Sequence, residues 1–183
     1  MNARPSAVLL DRDGTINVKA PDGDYITHPD QVQLIPGAAQ AIAALNRASI
    51  PVVVVTNQRG IALGRMTEED LEAVGATLDQ RLEVENARLD WVFHCPHDKG
   101  TCSCRKPGTL LLERARQWLG LPTLAEAVMI GDSESDVLAG RAVGARTVLL
   151  ATDRGEGPGS VVAGSLLEAV QDLLAGALAV ATE

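Results

Sequence analysis

Residues 6–17 read SAVLLDRDGTIN, a short apolar run that stops abruptly at two aspartates separated by one residue. The run at 7–10 is typical of a strand that is buried on both faces. Asp11 and Asp13 therefore follow the carboxyl end of a strand, which is where open α/β sheets bind ligands. Gly14 permits the turn that would bring both carboxylates to one place. An Asx-turn that closes an ordinary strand would also explain two aspartates, so other parts of the chain must distinguish the two interpretations.

The rest of the chain repeats this alternation of apolar runs and helical patterns. Strands are predicted at 7–10, 52–55, 91–93, 127–130, 147–150 and, marginally, 161–162; helices are predicted at 38–48, 67–87 and 109–119, with a fourth that ends at 143, a fifth capped at 165, and a polar loop at 18–31. Such alternation predicts parallel strands joined by right-handed crossovers. We expect an α/β fold, a Rossmann-like three-layer sandwich with a central, mainly parallel sheet. No large insertion follows the first or third strand, so we expect no cap domain and a single domain over 1–183.

Polar residues are concentrated directly after the predicted strands. They are Asp11, Thr56, the loop at 94–106, Asp132 and Asp153. A parallel sheet brings these strand ends to one edge, so residues far apart in the sequence converge there. Aspartates 11, 13 and 132 would form an oxygen cluster suited to Mg²⁺, beside the hydroxyl of Thr56 and the positive charge of Lys106. A divalent cation, a hydroxyl and a lysine facing a carboxylate indicate phosphoryl transfer.

These residues resemble, in order and position, the four motifs of the haloacid-dehalogenase-like phosphatases. The matching residues are Asp11-x-Asp13-Gly14-Thr15, Thr56, Lys106 and Gly131-Asp132-x-x-x-Asp136. The resemblance implies that Asp11 attacks the phosphorus atom and forms an aspartyl-phosphate. It also implies that Asp13 protonates the leaving alcohol and then deprotonates the hydrolytic water.

The same resemblance implies how a metal and a phosphate would be held. Mg²⁺ would be bound by Asp11, by the main-chain carbonyl of Asp13 and by Asp132. Thr56 and Lys106 would bind the phosphate. A supporting residue, Asp136, would orient Lys106 or Asp132 rather than bind the metal.

The three cysteines of the chain lie in a second motif, together with one histidine. The four residues are Cys95, His97, Cys102 and Cys104. Three thiolates and one imidazole are a complete set of ligands for a structural zinc ion in tetrahedral coordination. We therefore predict a zinc-binding loop at 95–104 that positions Arg105 and Lys106. Reduced surface cysteines beside a chance histidine are the alternative, but every cysteine of the chain is used here. His94 and His28 are interpreted as bystanders.

The zinc loop directly before Arg105 is similar to that of the small, capless phosphatases of this family. The segments at 11–17, 25–29, 56–64 and 104–107 resemble best the branch that acts on heptose bisphosphates. The implied activity is release of the 7-phosphate from D-glycero-D-manno-heptose 1,7-bisphosphate, with histidinol phosphate as the alternative substrate. Asn57, Arg59 and Arg105 are the expected specificity residues.

Two features depart from the pattern of these branches. Ser133 follows Asp132, where both branches usually carry lysine or arginine, so one cationic phosphate contact would be missing. Only four residues separate His97 from Cys102, so less protein would overhang the crevice.

Composition and motifs together argue against several other functions. Sixteen basic and 24 acidic residues give a net charge of −8, and only 2% of residues are aromatic, which argues against a zinc-stabilised nucleic-acid binder. A receiver-like phospho-acceptor domain would share the sheet and the carboxylates, but Asp13 and the zinc loop favour turnover. We find neither a secretory signal nor the roughly 18 consecutive apolar residues of a membrane span. We therefore expect a cytoplasmic monomer whose partner is a small phosphorylated metabolite.

Overall fold

The computed structural model describes residues 4–151 and 161–176, which form a six-stranded sheet covered by helices. The strands are β1 (Val8–Leu10), β2 (Val52–Asn57), β3 (Trp91–Cys95), β4 (Val128–Gly131), β5 (Arg146–Leu150) and β6 (Val161–Ala163). Neighbouring strands are all parallel, in the order β3-β2-β1-β4-β5-β6. This order reverses direction at β1, as in doubly wound Rossmann-like sheets, and confirms the predicted fold class. Asp153 lies outside the described residues.

Five helices connect and cover the described strands. They are α1 (Ala38–Arg47), α2 (Glu68–Glu83), α3 (Leu110–Trp118), α4 (Glu134–Ala142) and α5 (Leu166–Leu174). The predicted caps are present, since the Thr67 hydroxyl accepts from the main-chain N–H of Asp70 and the Ser165 hydroxyl from that of Glu168. Within residues 4–151 and 161–176, none of the helices combines the length and apolar character that crossing a bilayer requires.

Three predicted boundaries differ from the structure by two residues or more, and one predicted loop contains a helical turn. β2 continues to Asn57 and β3 to Cys95, two residues beyond the apolar runs, because the last residues of both strands still pair in register. Main-chain pairing needs no apolar side chain, so hydropathy could not locate these ends. α2 ends at Glu83 instead of residue 87, and the turn after it contains Asn86 at a φ of +55°. The segment 18–31 is not wholly irregular, since it ends in a short 3₁₀ turn.

Both faces of the sheet are buried, which explains the unbroken apolar runs. On one face, Val8, Leu10 and alternate β2 residues pack against α1, α2 and α5. On the other face, Leu9 and the remaining β2 residues pack against α3 and α4. Period-two alternation therefore distributes apolar side chains to two separate cores. The polar side chains lie at the carboxyl ends of the strands.

Three of the four aromatic residues of the chain pack together at the β3 edge of the sheet, two on β3 and one on α3. Trp91 on β3 stacks on Trp118 with ring centroids 5.6 Å apart and lies 6.4 Å from Phe93. The two tryptophans are each about half exposed. This exposed apolar patch was not predicted from the sequence. The predicted monomeric state stays a prediction.

Candidate active site

A tight turn after β1 arranges the first pair of aspartates. Asp11 still follows the register of the sheet, since its main-chain N–H donates to the Ile130 carbonyl at 3.0 Å. The chain then turns at Gly14, whose φ of +86° lies in the left-handed region that favours glycine. A β-carbon at Gly14 would lie 2.2 Å from Asp132 Oδ2, so the turn also has no room for a side chain. Glycine is therefore required here for two independent reasons.

Lys106 lies between two carboxylates at the centre of this edge. Its Nζ atom is 2.8 Å from Asp11 Oδ1 and 2.6 Å from Asp136 Oδ1, and it also donates to the Val55 carbonyl at 2.6 Å. Burial alone would lower the pKa of Lys106, but the two carboxylates hold this pKa above its usual range. Burial raises the pKa of Asp11 to about 6, although the Lys106 ammonium opposes this shift. The lysine is therefore a fixed, desolvated cation beside Asp11.

Asp13 is held by three side chains that sequence reasoning did not identify. Arg12 donates to both of its carboxylate oxygens, at 3.1 and 2.8 Å, while Asn17 and Gln58 each donate at 2.9 Å. Arg12 is itself only 3% exposed. Burial alone would raise the pKa of Asp13, but the guanidinium and the hydrogen bonds hold the pKa below its usual range. The charge of Arg12, one residue from Asp13, was the only signal in the sequence, and it did not reveal that Arg12 is buried.

The polar end of β2 connects this network to the zinc-loop segment. Gln58 Nε2 donates to the Thr56 hydroxyl at 2.9 Å, and Thr56 is buried. The Asn57 side chain pairs twice with the main chain of Lys106, accepting from its N–H at 3.0 Å and donating to its carbonyl at 3.2 Å. Both ends of the Asn57 amide therefore position Lys106, and the predicted contact of Asn57 with substrate stays a prediction.

The three predicted specificity residues, Asn57, Arg59 and Arg105, all line one cavity. Arg59 and Arg105 border a cavity of about 420 Å³ that Asp13, Lys19 and Lys99 also line. Arg59 is held by Asp98, with Nε and Oδ1 2.5 Å apart, so its guanidinium is anchored to the loop that carries the cysteines. Four cations (Lys19, Arg59, Lys99 and Arg105) and three carboxylates (Asp13, Asp22 and Asp24) line this cavity, so positive groups for an anionic ligand lie beside acceptors for hydroxyl groups.

Carboxylate oxygens of Asp11, Asp132 and Asp136 lie within 4.8 Å of one another, the spacing of a divalent cation site. Asp136 has other partners, because its Oδ2 accepts from the main-chain N–H of Ser133 at 3.1 Å and from the Ser133 hydroxyl at 2.7 Å, and its Oδ1 pairs with Lys106. Asp11 and Asp132 are thus the carboxylates best available to a cation. Oxygen donors of this kind fit Mg²⁺.

Cys95, His97, Cys102 and Cys104 form a second cluster, as the sequence predicts. The Sγ atom of Cys95 lies 3.1 Å from that of Cys104 and 3.5 Å from that of Cys102, and His97 Nδ1 lies 3.2 Å from the Cys104 sulfur. All three thiols are free rather than joined in a disulfide. Burial raises the pKa of the Cys95 thiol to about 12, so a cation would be needed to favour the thiolate. One ion could reach all four atoms.

The predicted bystander histidines have partners elsewhere. His94 Nε2 lies 2.9 Å from a Glu68 carboxylate oxygen, at the start of α2. The His28 ring caps the 3₁₀ turn by accepting from the Asp30 N–H at 3.4 Å. Neither ring belongs to the two clusters described above.

Comparison with known proteins agrees with this arrangement. The family model for HAD-hydrolase-like proteins matches residues 103–161. The D-glycero-beta-D-manno-heptose-1,7-bisphosphate 7-phosphatase of Vibrio cholerae is 36% identical, over 94% of the chain and 97% of the relative. The D,D-heptose 1,7-bisphosphate phosphatase of B. bronchiseptica, solved with magnesium and phosphate, has a TM-score of 0.86 at 29% identity, covering 93% of the chain and 99% of that structure. A HAD-like phosphatase of Mesorhizobium loti has a TM-score of 0.79 at 34% identity, covering 95% and 86%.

The fold and the site together define a haloacid-dehalogenase-like phosphatase, which confirms the resemblance and the enzyme class predicted from the sequence. More narrowly, the chain belongs to the D-glycero-beta-D-manno-heptose-1,7-bisphosphate 7-phosphatase family. The similarity extends over nearly the whole length of the Vibrio cholerae relative, so it covers both clusters.

Proposed function

We propose that the protein removes the 7-phosphate of D-glycero-D-manno-heptose 1,7-bisphosphate by an Mg²⁺-dependent reaction through an aspartyl-phosphate. The observation that carries this proposal is the placement of Asp11 against the buried Lys106, 2.8 Å away, at the carboxyl edge of the sheet. An activated carboxylate next to a fixed cation suits attack on phosphorus. Membership of the heptose bisphosphate phosphatase family supports the choice of substrate.

In this proposal Asp11 is the nucleophile and Lys106 stabilises the charge of the transferred group. The ionised Asp11 carboxylate forms a bond to phosphorus as the bond from phosphorus to the sugar oxygen breaks. Lys106 and the Thr56 hydroxyl bind the phosphate oxygens. Asp136 keeps Lys106 in place through their ion pair, which is fully buried.

Asp13 is proposed to move the protons of both steps. It gives a proton to the departing sugar oxygen and later takes one from the water that hydrolyses the aspartyl-phosphate. Its contacts with Arg12, Asn17 and Gln58 favour the ionised carboxylate, which is the form that accepts the proton of water. A negatively charged phosphate bound beside Asp13 raises its pKa, which favours the protonated form needed in the first step.

We propose that Mg²⁺ is held by the carboxylates of Asp11 and Asp132 and by the main-chain carbonyl of Asp13. The oxygen donors fit this ion, and the absence of a β-carbon at Gly14 leaves space for the Asp132 carboxylate. When bound, Mg²⁺ supplies positive charge that neutralises the phosphate oxygens.

We propose that the Cys/His cluster binds a structural zinc ion. Three thiols and one imidazole make a closed set of four ligands, with no position left for water. The ion would fix the loop that ends at Lys106, and Asp98 within this loop holds Arg59. Zinc would therefore order Lys106 and residues that line the substrate cavity, such as Arg59, without taking part in the chemistry.

Replacing Cys102 with serine should remove the zinc and loosen this loop. We expect a loss of about 2–4 kcal/mol in the free energy of unfolding, roughly 5–15 °C in melting temperature. Metal content by mass spectrometry and a melting curve would test this. Ser103→Ala, at an exposed neighbouring position, is the matched control and should retain one zinc ion per chain. Full zinc content in Cys102→Ser would contradict the proposed ligand set.

Asn57, Arg59 and Arg105 are proposed to select the substrate, since all three line the cavity beside Asp13. Histidinol phosphate is the alternative substrate for the same chemistry. We further propose that 1–183 is a single phosphatase domain with its zinc loop at 95–104. The cytoplasmic location stays a prediction.

Phosphate release from a panel of metabolites, with and without Mg²⁺, tests the proposed function. The panel holds both anomers of the heptose 1,7-bisphosphate, histidinol phosphate and common sugar phosphates. We expect Mg²⁺-dependent release with a clear preference for the heptose bisphosphate. Activity only on another substrate would retain the chemistry and exclude the heptose. Phosphate that stays on Asp11 without release would instead support a phospho-acceptor domain.

A further inference from the structure

Lys19 reaches the candidate metal site from the loop after β1. Its Nζ atom lies 2.9 Å from Asp132 Oδ2, although the two residues are 113 positions apart in the sequence. The Lys19 side chain is 61% exposed, whereas that of Asp132 is 15% exposed. Lys19 has no part in the phosphoryl transfer proposed for Asp11, Asp13 and Lys106.

The ion pair of Lys19 with Asp132 is more exposed than the ion pairs of Lys106. Lys106 is buried between two carboxylates and a main-chain carbonyl, so it has no other position to occupy. Among the described residues, Lys19 donates a hydrogen bond to Asp132 alone, and most of its side chain is in solvent. Ion pairs whose lysine is largely in solvent are weak, so another cation can displace Lys19 from Asp132.

Asp132 cannot serve Lys19 and a divalent cation equally well. The oxygen that accepts from Lys19 belongs to the carboxylate proposed to bind Mg²⁺, and Gly14 packs against that carboxylate from one side. A cation on Asp132 would repel the lysine ammonium. The displaced Lys19 would remain at the cavity of about 420 Å³, which is lined by three further cations, Arg59, Lys99 and Arg105, and by the carboxylates of Asp13, Asp22 and Asp24.

Ser133, which follows Asp132, supplies no positive charge for binding a phosphate group, so a cation from another part of the chain would be useful there. Ser133 carries no charge, and its hydroxyl and main-chain N–H are both directed to Asp136. Among the described residues, Lys19 is the cation that forms an ion pair with Asp132 and so could supply this charge.

We propose that Lys19 exchanges between two anions: it neutralises Asp132 in the metal-free site and binds a phosphate group once a divalent cation occupies Asp132. This inference rests on the proposed function for the identity of the anion. Lys19 then acts as a substrate-binding residue whose availability depends on the metal.

Titration of Mg²⁺ alone into metal-free protein tests the first half of the exchange. Because Lys19→Met removes the competing cation, we expect it to bind Mg²⁺ about two- to fivefold more tightly than the wild type. Arg81→Met removes one positive charge from an exposed position on α2 and is the matched control for net charge, with no change expected. Equal Mg²⁺ affinity in Lys19→Met and Arg81→Met, measured by calorimetry, would overturn the exchange.

Titration of inorganic phosphate tests the second half. In the presence of Mg²⁺, Lys19→Met should bind phosphate about three- to tenfold more weakly than the wild type, whereas Lys19→Arg should retain most of the affinity. Without Mg²⁺ the wild type and Lys19→Met should differ little, because Asp132 still holds the lysine. Equal phosphate affinity with Mg²⁺ present would exclude Lys19 from phosphate binding. Neither titration requires turnover, so both remain informative if the metabolite panel shows no hydrolysis.

Discussion

Replacing Asp11 with asparagine should abolish phosphate release, lowering turnover by about 10³- to 10⁵-fold, while the protein stays folded. The amide has the shape of the carboxylate but is not a nucleophile toward phosphorus. Lys106 loses one of its two carboxylate partners and keeps the other, Asp136, at 2.6 Å. The buried cation therefore stays paired, and we expect a melting temperature within about 4 °C of the wild type.

The measurement is steady-state phosphate release combined with a melting curve. Asp172→Asn, at an exposed position on α5, removes the same charge and should leave both quantities unchanged. Turnover of Asp11→Asn near the wild-type rate would exclude Asp11 as the nucleophile. A large loss of stability without a loss of turnover per folded molecule would assign Asp11 a structural role instead.

The parts of the site that could be predicted are those whose position follows from the sheet alone. Asp11, Thr56 and Asp132 each follow an apolar run, and parallel strands must bring such positions to one edge. The cysteine cluster was predictable for a different reason, since the ligands are close in sequence and their types are selective for zinc. Both inferences needed only local patterns and one topological rule.

The missing parts depend on contacts between loops, which no local pattern encodes. Arg12 resembles a solvated charge in the sequence, but it is buried against Asp13 by Gln58, which lies 46 residues away. The pairing of the Asn57 amide with the main chain of Lys106, 49 residues away, was likewise not predicted, and the predicted contact of Asn57 with substrate stays a prediction. Whether a polar side chain faces a ligand or another loop depends on loop conformation, which hydrophobic periodicity does not determine.

Contacts between loops also connect the Cys/His cluster to the active site, and Arg59 makes one of them. Its guanidinium pairs with Asp98, which lies between the predicted zinc ligands, while its main chain follows directly after the active-site end of β2. Asn57 connects the same strand end to Lys106. Residues 57–59, at the end of β2, are therefore attached at two points to the segment 95–106, so a change in the order of this segment would affect both the phosphate-binding lysine and the substrate cavity.

Replacing Lys106 with methionine should lower both turnover and stability. Methionine fills a similar volume without charge, so the transferred phosphate loses its fixed cation and turnover should fall about 10²- to 10⁴-fold. Asp136, whose side chain is 1% exposed, would be left as a buried carboxylate without its counter-ion. Leaving one member of a buried ion pair unpaired costs about 3–5 kcal/mol of the free energy of unfolding. Denaturant unfolding and phosphate release measure the two effects separately.

The double variant Lys106→Met with Asp136→Asn separates these two contributions. Neutralising Asp136 removes the unpaired charge, while its amide can still accept from Ser133, so most of the lost stability should return. Turnover should stay low, because the double variant restores no cation beside Asp11. Recovery of turnover together with stability would mean that Lys106 acts only by keeping the site folded, and the proposed role in phosphate binding would then be wrong. Stability restored without turnover would place the charge of Lys106 in the reaction itself.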